Sequence, residues 1–149
     1  MTTQFEIANS VARWFTAIDR KDWKAAEALM VDPFLLDYSS FSGDPAAALK
    51  PGDILVNWAR FLPGFDATHH QLGNFDVERD EKTAIVNCYV TASHFIASAS
   101  EGPVWTVIGS YEIPLVRDGD VWRLSGCRLD FKCQHGNTAL PALAQQRAT

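Results

Sequence analysis

The chain has 149 residues, enough for one ordinary domain with a single hydrophobic core and too few for two cores with a linker. Apolar residues make up 47% and charged residues 21%, with five Trp and nine Phe, which excludes a disordered chain. The net charge is −5, the pI is near 5.2 and the 13 Lys and Arg are scattered singly, so there is no basic stripe and nucleic acid is not an expected partner.

No apolar run approaches the ~18 residues of a membrane span. The segment from Met1 to Trp14 also lacks a basic stretch followed by an apolar one, so no membrane partner is expected and the expected location is cytoplasmic. Cys88, Cys127 and Cys133 are an odd set without C-x-x-C spacing, which points to reduced thiols rather than a disulfide or a metal site.

Ile7, Val11, Trp14, Phe15 and Ile18 recur at helical spacing and predict an amphipathic helix over residues 4–18. Asp22 is placed to cap a second short helix with Trp23, Ala26, Leu29 and Met30 on its apolar side, and Asp32-Pro33 is expected to end it. Residues 34–41 are the first strand candidate, with Leu36 and Tyr38 on one face. A third helix is expected from near Asp53 to Leu62, stopped by Pro63-Gly64.

The period then changes. Residues 68–78, 83–97, 104–116 and 121–132 read as strands, and Asp118-Gly119 predicts a tight type I′ hairpin between the last two. Helices followed by a strand meander give an α+β domain with helices on one face of an antiparallel sheet. The whole chain, 1–149, reads as one such domain, with the residues after about 133 a C-terminal tail that is either packed or frayed.

Several polar residues stand where chemistry is possible. Ala84, Val86, Cys88, Val90, Ala92, His94 and Ile96 share a strand face, so His94 points inward, either as a hydrogen-bonded core residue or as part of a site. Tyr38 is likewise a packing aromatic or a site hydroxyl, and Asp19, just beyond Ile18, is a rim acid or a solvated one. His69 and His70 are adjacent, so on a strand only one of them can face inward. No pair among His69, His70, His94 and His135 has metal-ligand spacing, and there is no Gly-rich phosphate loop and no G-x-S-x-G elbow.

The stretch Asp19-Arg-Lys-Asp-Trp23, continuing through Pro33 to Leu36-Asp37-Tyr38-Ser-Ser-Phe41, is similar to the helix-to-first-strand segment of the scytalone dehydratase family, within the nuclear transport factor 2-like (SnoaL-like) superfamily. Thr68-His69-His70-Gln-Leu-Gly73, His94 and Asp118-Gly119-Asp120-Val121-Trp122 extend the likeness over roughly residues 10–130. The resemblance implies a cone, a curved antiparallel sheet wrapped by N-terminal helices around one apolar pocket, of the cystatin-like α+β barrel type. It implies four catalytic residues, Asp19, Tyr38, His70 and His94, with Asp19 holding the ring of His94, His70 as base and Tyr38 polarising a carbonyl. It also implies a homo-oligomer, a trimer as in the dehydratases or a dimer as in many relatives.

Three positions depart from the family. Ile18 stands where it has a second tyrosine, and Gly109 and Tyr111 fall where it has Ser and Asn, so the resemblance fixes the substrate less well than the site. Trp14, Phe15, Ile18, Leu55, Trp58, Val90, Phe95, Ile108 and Tyr111 are the expected pocket walls, suited to a small hydrophobic or aromatic substrate. The implied activity is a dehydratase (hydro-lyase) needing no cofactor and no metal. An isomerase, cyclase or dehydrohalogenase using the same residues and a non-catalytic ligand-binding cone are the alternatives.

Overall fold

A computed structural model describes residues 3–149 of the protein. Helix α1 spans Gln4–Asp19 and starts on a capping box, in which Thr3 Oγ1 accepts from the Glu6 N–H at 3.2 Å and the Glu6 carboxylate accepts from the Thr3 N–H at 2.7 Å. Both bonds satisfy donors that a helix start leaves free. Ile7, Val11, Trp14, Phe15 and Ile18 are all buried, so the helical spacing in the sequence marks the core face. Lys21 then takes a left-handed φ of 58°, and Asp22 Oδ1 caps α2 (Trp23–Ala28) by accepting from the Ala25 N–H at 3.1 Å.

The next segment differs from the sequence expectation. Strand β1 runs over Met30–Asp37 instead of 34–41, and Asp32-Pro33 lies inside the strand, while α2 already ends at Ala28. Proline has no N–H to give to a ladder, and the β1 pairing shifts register between Met30 and Leu35. Residues Ser39–Ser42 form one helical turn, α3, with Tyr38 at its N-cap. A short strand β2 (Ala47–Leu49) follows and pairs with β1. Helix α4 spans Pro51–Ala59, beginning at Pro51 because proline suits the first helical position, and a 3-10 turn at Leu62–Gly64 takes the place of its expected last turn.

Strands β3 (Ala67–Arg79), β4 (Thr83–Phe95), β5 (Val104–Asp118) and β6 (Val121–Gly136) form an antiparallel meander. The sheet order is β2-β1-β6-β5-β4-β3, curved and unclosed, with β1 parallel to β6, so the sheet is mixed where a wholly antiparallel one was expected. On β4, Ala84, Val86, Cys88, Val90, Ala92 and His94 are buried and the residues between them are not, as period two requires. At the last hairpin Asp118 pairs with Val121, which makes Gly119 and Asp120 the central residues. Only Gly119 has a positive φ, 64°, so the turn fits type II′ and not the expected I′.

The residues after 133 are not a loose tail. Strand β6 continues to Gly136, and α5 (Leu140–Ala148) buries Leu140 and Ala144 against the 3-10 turn. Arg147 Nη2 donates to Asp66 Oδ1 at 2.8 Å and helps hold the helix down. At this contact a Cβ on Gly64 would overlap the backbone carbonyl of Ala144. The variant Gly64→Ala is expected to lose ~1–3 kcal/mol through overpacking, read as a lower urea midpoint at unchanged slope. An unchanged midpoint would mean that α5 packs elsewhere.

Candidate active site

Asp19 is the last residue of α1, where the helix dipole and the unpaired carbonyls disfavour a negative charge. Three donors from β3 offset this. Thr68 Oγ1 donates to Asp19 Oδ1 at 2.9 Å, the His70 N–H donates to Oδ2 at 2.8 Å, and His70 Nδ1 meets Oδ1 at 2.7 Å. Burial by itself pushes the Asp19 carboxyl up, but the His70 ring, its backbone N–H and Thr68 together outweigh burial and hold it below the ordinary 3.8. An ionised carboxylate can only accept, so His70 donates from Nδ1, and in the neutral ring this leaves Nε2 as a lone pair.

This corrects the expected pairing. Asp19 holds His70, not His94, because the end of α1 lands over β3 and meets Thr68 and His70 first. His70 pairs with Ala92 on β4 and His94 with Thr68, so the two histidines are diagonal neighbours on the inner face, 6.3 Å between ring centroids. His69 is exposed on the opposite face, as adjacency on a strand demands.

His94 is buried, and its Nδ1 lies 3.2 Å from the Trp105 carbonyl. A carbonyl cannot donate, so Nδ1 bears the hydrogen and Nε2 is again an acceptor. The ring is covered by Trp105 at 4.3 Å and Phe65 at 5.0 Å. Burial pushes His94 down to about 4 although the Trp105 carbonyl favours the charged ring, so this histidine is neutral at neutral pH.

Tyr38, set by the start of α3, and Tyr111, on the inner face of β5, close the other side of the cavity. Burial, then the proximity of Tyr111 and Cys127, pushes the Tyr38 hydroxyl well above its ordinary value, and burial raises Tyr111 and Cys127 as well. All three groups stay protonated at neutral pH.

The cavity encloses about 210 Å³ and takes in Asp19's partner His70 together with His94, Tyr38 and Tyr111. Of the expected walls, Phe15, Ile18, Trp58 and Tyr111 line it. Trp14, Leu55 and Val90 are buried in the core behind it instead, and Phe95 and Ile108 sit at the outward parity of β4 and β5. The strand faces of Phe95 and Ile108 are readable from alternation with His94 and Tyr111, which also assigns Ala92, Trp105 and Val107 to the wall. Phe41, Phe61, Leu62 and Leu129 complete the wall from turns and from β6, with no local signal to mark them. Among the described residues no Lys, Arg, Asp or Glu lines the cavity, so a phosphate or carboxylate would meet no counter-charge there. Among the described residues no group of three or more His, Cys, Asp or Glu is placed to hold a metal ion.

The SnoaL-like domain family matches residues 1–128. None of the curated proteins compared matches the chain. Among solved structures, the Kfla4162 protein of Kribbella flavida superposes with a TM-score of 0.84 at 26% identity, covering 94% of this chain and 95% of that one. A provisionally named scytalone dehydratase from Novosphingobium aromaticivorans gives 0.73 at 19% identity, over 87% and 84% of the two chains. A hexachlorocyclohexane dehydrochlorinase gives 0.65 at 11% identity, over 86% of each chain. The last two show a shared fold.

The lowered His94 value has a consequence for stability. The unfolded chain binds a proton on this ring below about 6.5, while the folded chain resists until about 4. Stability is therefore full above 6.5 and falls as pH drops toward 4, by about 3 kcal/mol at 1.36 kcal/mol per pH unit. Asp19 adds a loss only further down, below 3.8. Urea unfolding from pH 7.5 to 4 is expected to show this slope and His94→Gln to flatten it; the same slope in both proteins would mean that His94 is not buried neutral.

Proposed function

The chain belongs to the SnoaL-like family, and on that premise we propose that it is a cofactor-independent lyase that removes water from a small apolar or aromatic hydroxyketone. The observation that carries this reading is the 2.7 Å pair of Asp19 and His70 beside a cavity whose wall is mostly apolar. His70 Nε2 takes the proton from the carbon next to the carbonyl, and the electron pair moves to the carbonyl oxygen. Tyr38 donates to that oxygen as it becomes an enolate. The enolate then re-forms its carbonyl, the carbon–oxygen bond to the hydroxyl breaks, and the proton on His70 leaves with it as water. The products are water and the unsaturated ketone. Asp19 stays ionised and stabilises the imidazolium between the two proton transfers.

His94 takes a different part from the one its resemblance implies. Held neutral with Nδ1 on the Trp105 carbonyl, it accepts a hydrogen bond from the substrate hydroxyl and orients it. Dehydrohalogenation is the second reading. It needs the same base and no proton for the leaving halide, which suits a cavity whose two histidines both present lone pairs, and a dehydrochlorinase shares the fold. Isomerase, cyclase and pure ligand-binding readings use the cavity without the leaving-group step.

His70→Ala is expected to cut turnover of a screened aromatic β-hydroxyketone ~10²–10⁴-fold while the fold and ligand affinity persist. Asp19→Asn should reduce turnover through loss of the charge on His70, and Tyr38→Phe should slow it with little loss of stability. Full activity in all three would end the lyase reading, as would ligand binding in the wild type with no turnover of any hydroxyketone or halide. The reading also carries a homo-oligomer, supported by Ile85 and Tyr89, which are 41% and 53% exposed on the outer face of β4. Light scattering is expected to return a dimer or trimer, and a monomer at micromolar concentration would remove this element.

A further inference from the structure

We propose that Gln134 is a positioning residue for His94, acting through the indole of Trp105. The proposal rests on the lyase reading and deepens it, since it names what keeps the hydroxyl-orienting histidine in place. Trp105 Nε1 donates to Gln134 Oε1 at 2.8 Å. An indole N–H can only donate, so the amide presents its oxygen to the ring. Gln134 lies on β6 opposite Val107 and two residues before Gly136, the cross-strand partner of Trp105, so the two side chains meet diagonally.

The bond matters because of what the indole covers. Trp105 is buried and lines the cavity, and its ring centroid is 4.3 Å from that of His94. Phe65 lies 5.0 Å from His94 and 6.3 Å from Trp105, so three rings pack in a triangle, and Gln134 stands outside it at the surface. Packing alone does not orient the indole. The outer torsion of a tryptophan side chain is broad and roughly two-fold, and turning it either way offers His94 an apolar ring. Only the N–H distinguishes the two, and among the described residues Gln134 Oε1 is its one acceptor. Without that acceptor the N–H has to turn to reach water, which uncovers His94.

The backbone of the same residue holds the other side of the ring. The Trp105 carbonyl takes His94 Nδ1 at 3.2 Å, so one residue both anchors the histidine and covers it. The titratable groups facing His94 are His70 from β3 and Asp19 from α1, while Phe65 and Trp105 add no charge. Apolar cover is therefore what keeps this ring neutral and its Nε2 a lone pair, and that cover depends on a hydrogen bond made at the surface.

The test follows the His94 Cε1–H resonance by NMR from pH 7.5 to 4, with no ligand present. In the wild type the ring is expected to stay neutral over most of this range, as burial holds it down to about 4. In Gln134→Leu, which keeps the bulk and removes the acceptor, the midpoint is expected to rise by about one pH unit toward the ordinary 6.5. In Trp105→Phe, which has no N–H, adding Gln134→Leu is expected to change nothing further. A His94 midpoint unmoved by Gln134→Leu would overturn the proposal even if the urea midpoint falls, because the residue would then be structural alone. An equal shift from Gln134→Leu in the Trp105→Phe background would overturn it as well. Should Gln134→Leu fail to fold, the wild type decides: a Trp105 indole N–H protected from hydrogen exchange supports the proposal, and one that exchanges as fast as a free indole overturns it. With a hydroxyketone that turns over, Gln134→Leu should lower kcat about tenfold at little changed KM, and an unchanged kcat counts against it. A wild type that turns over no hydroxyketone ends the lyase reading and leaves the hold on His94 standing.

Discussion

Three hydrogen bonds on one carboxylate tie the first helix to the edge strand of the sheet, and the site is built around them. Asp19 sits at the negative end of α1, the least favourable place on a helix for an anion. It is tolerated because Thr68 and His70 bring donors from β3 at 2.7–2.9 Å. Charge-assisted bonds of this kind are the stronger members of their class. They fix where the helix end crosses the sheet, and with it the direction of the His70 ring and the tautomer that frees Nε2.

The second constraint is dryness. Aromatic residues around the cavity surround the Asp19–His70 pair with apolar surface, where a hydrogen bond is electrostatically stronger than in water. Phe15 does two things at once, covering His70 and stacking on Tyr111. On the far side, Trp105 covers His94 and gives it the carbonyl that sets its tautomer. Two histidines of the same type thereby acquire different characters: one is coupled to a carboxylate, the other is held neutral against a carbonyl. Environment and not residue identity separates their roles.

The SnoaL-like fold carries many chemistries because its sheet encloses a cavity whose lining can change without moving the backbone. In this chain the lining takes Ile18 from the end of α1 and Tyr111 from β5.

Much of this was legible in the sequence. Helical spacing from Ile7 to Ile18 gave the buried face of α1, and strict alternation gave the inner face of β4 together with the inward turn of His94 and of one histidine out of His69 and His70. Local rules suffice there because burial on one side is a property of the element itself. They fail where the answer depends on what lies opposite. Period two states that His94 faces inward but not that it meets Trp105, and it states nothing about whether Asp19 reaches β3 or β4. Phe95 and Ile108 were placed on the wall against their own parity, whereas Phe41 and Phe61 reach it from turns that have no period. The parallel pairing of β1 with β6 and the start of β1 before Pro33 are likewise decided at long range, since a ladder forms with whichever strand the sheet's curvature brings alongside. The sequence determined which faces are apolar and which residues can carry a proton. Only the tertiary structure decided which carboxylate holds which ring, because that choice is made by a few ångströms in the landing point of one helix end.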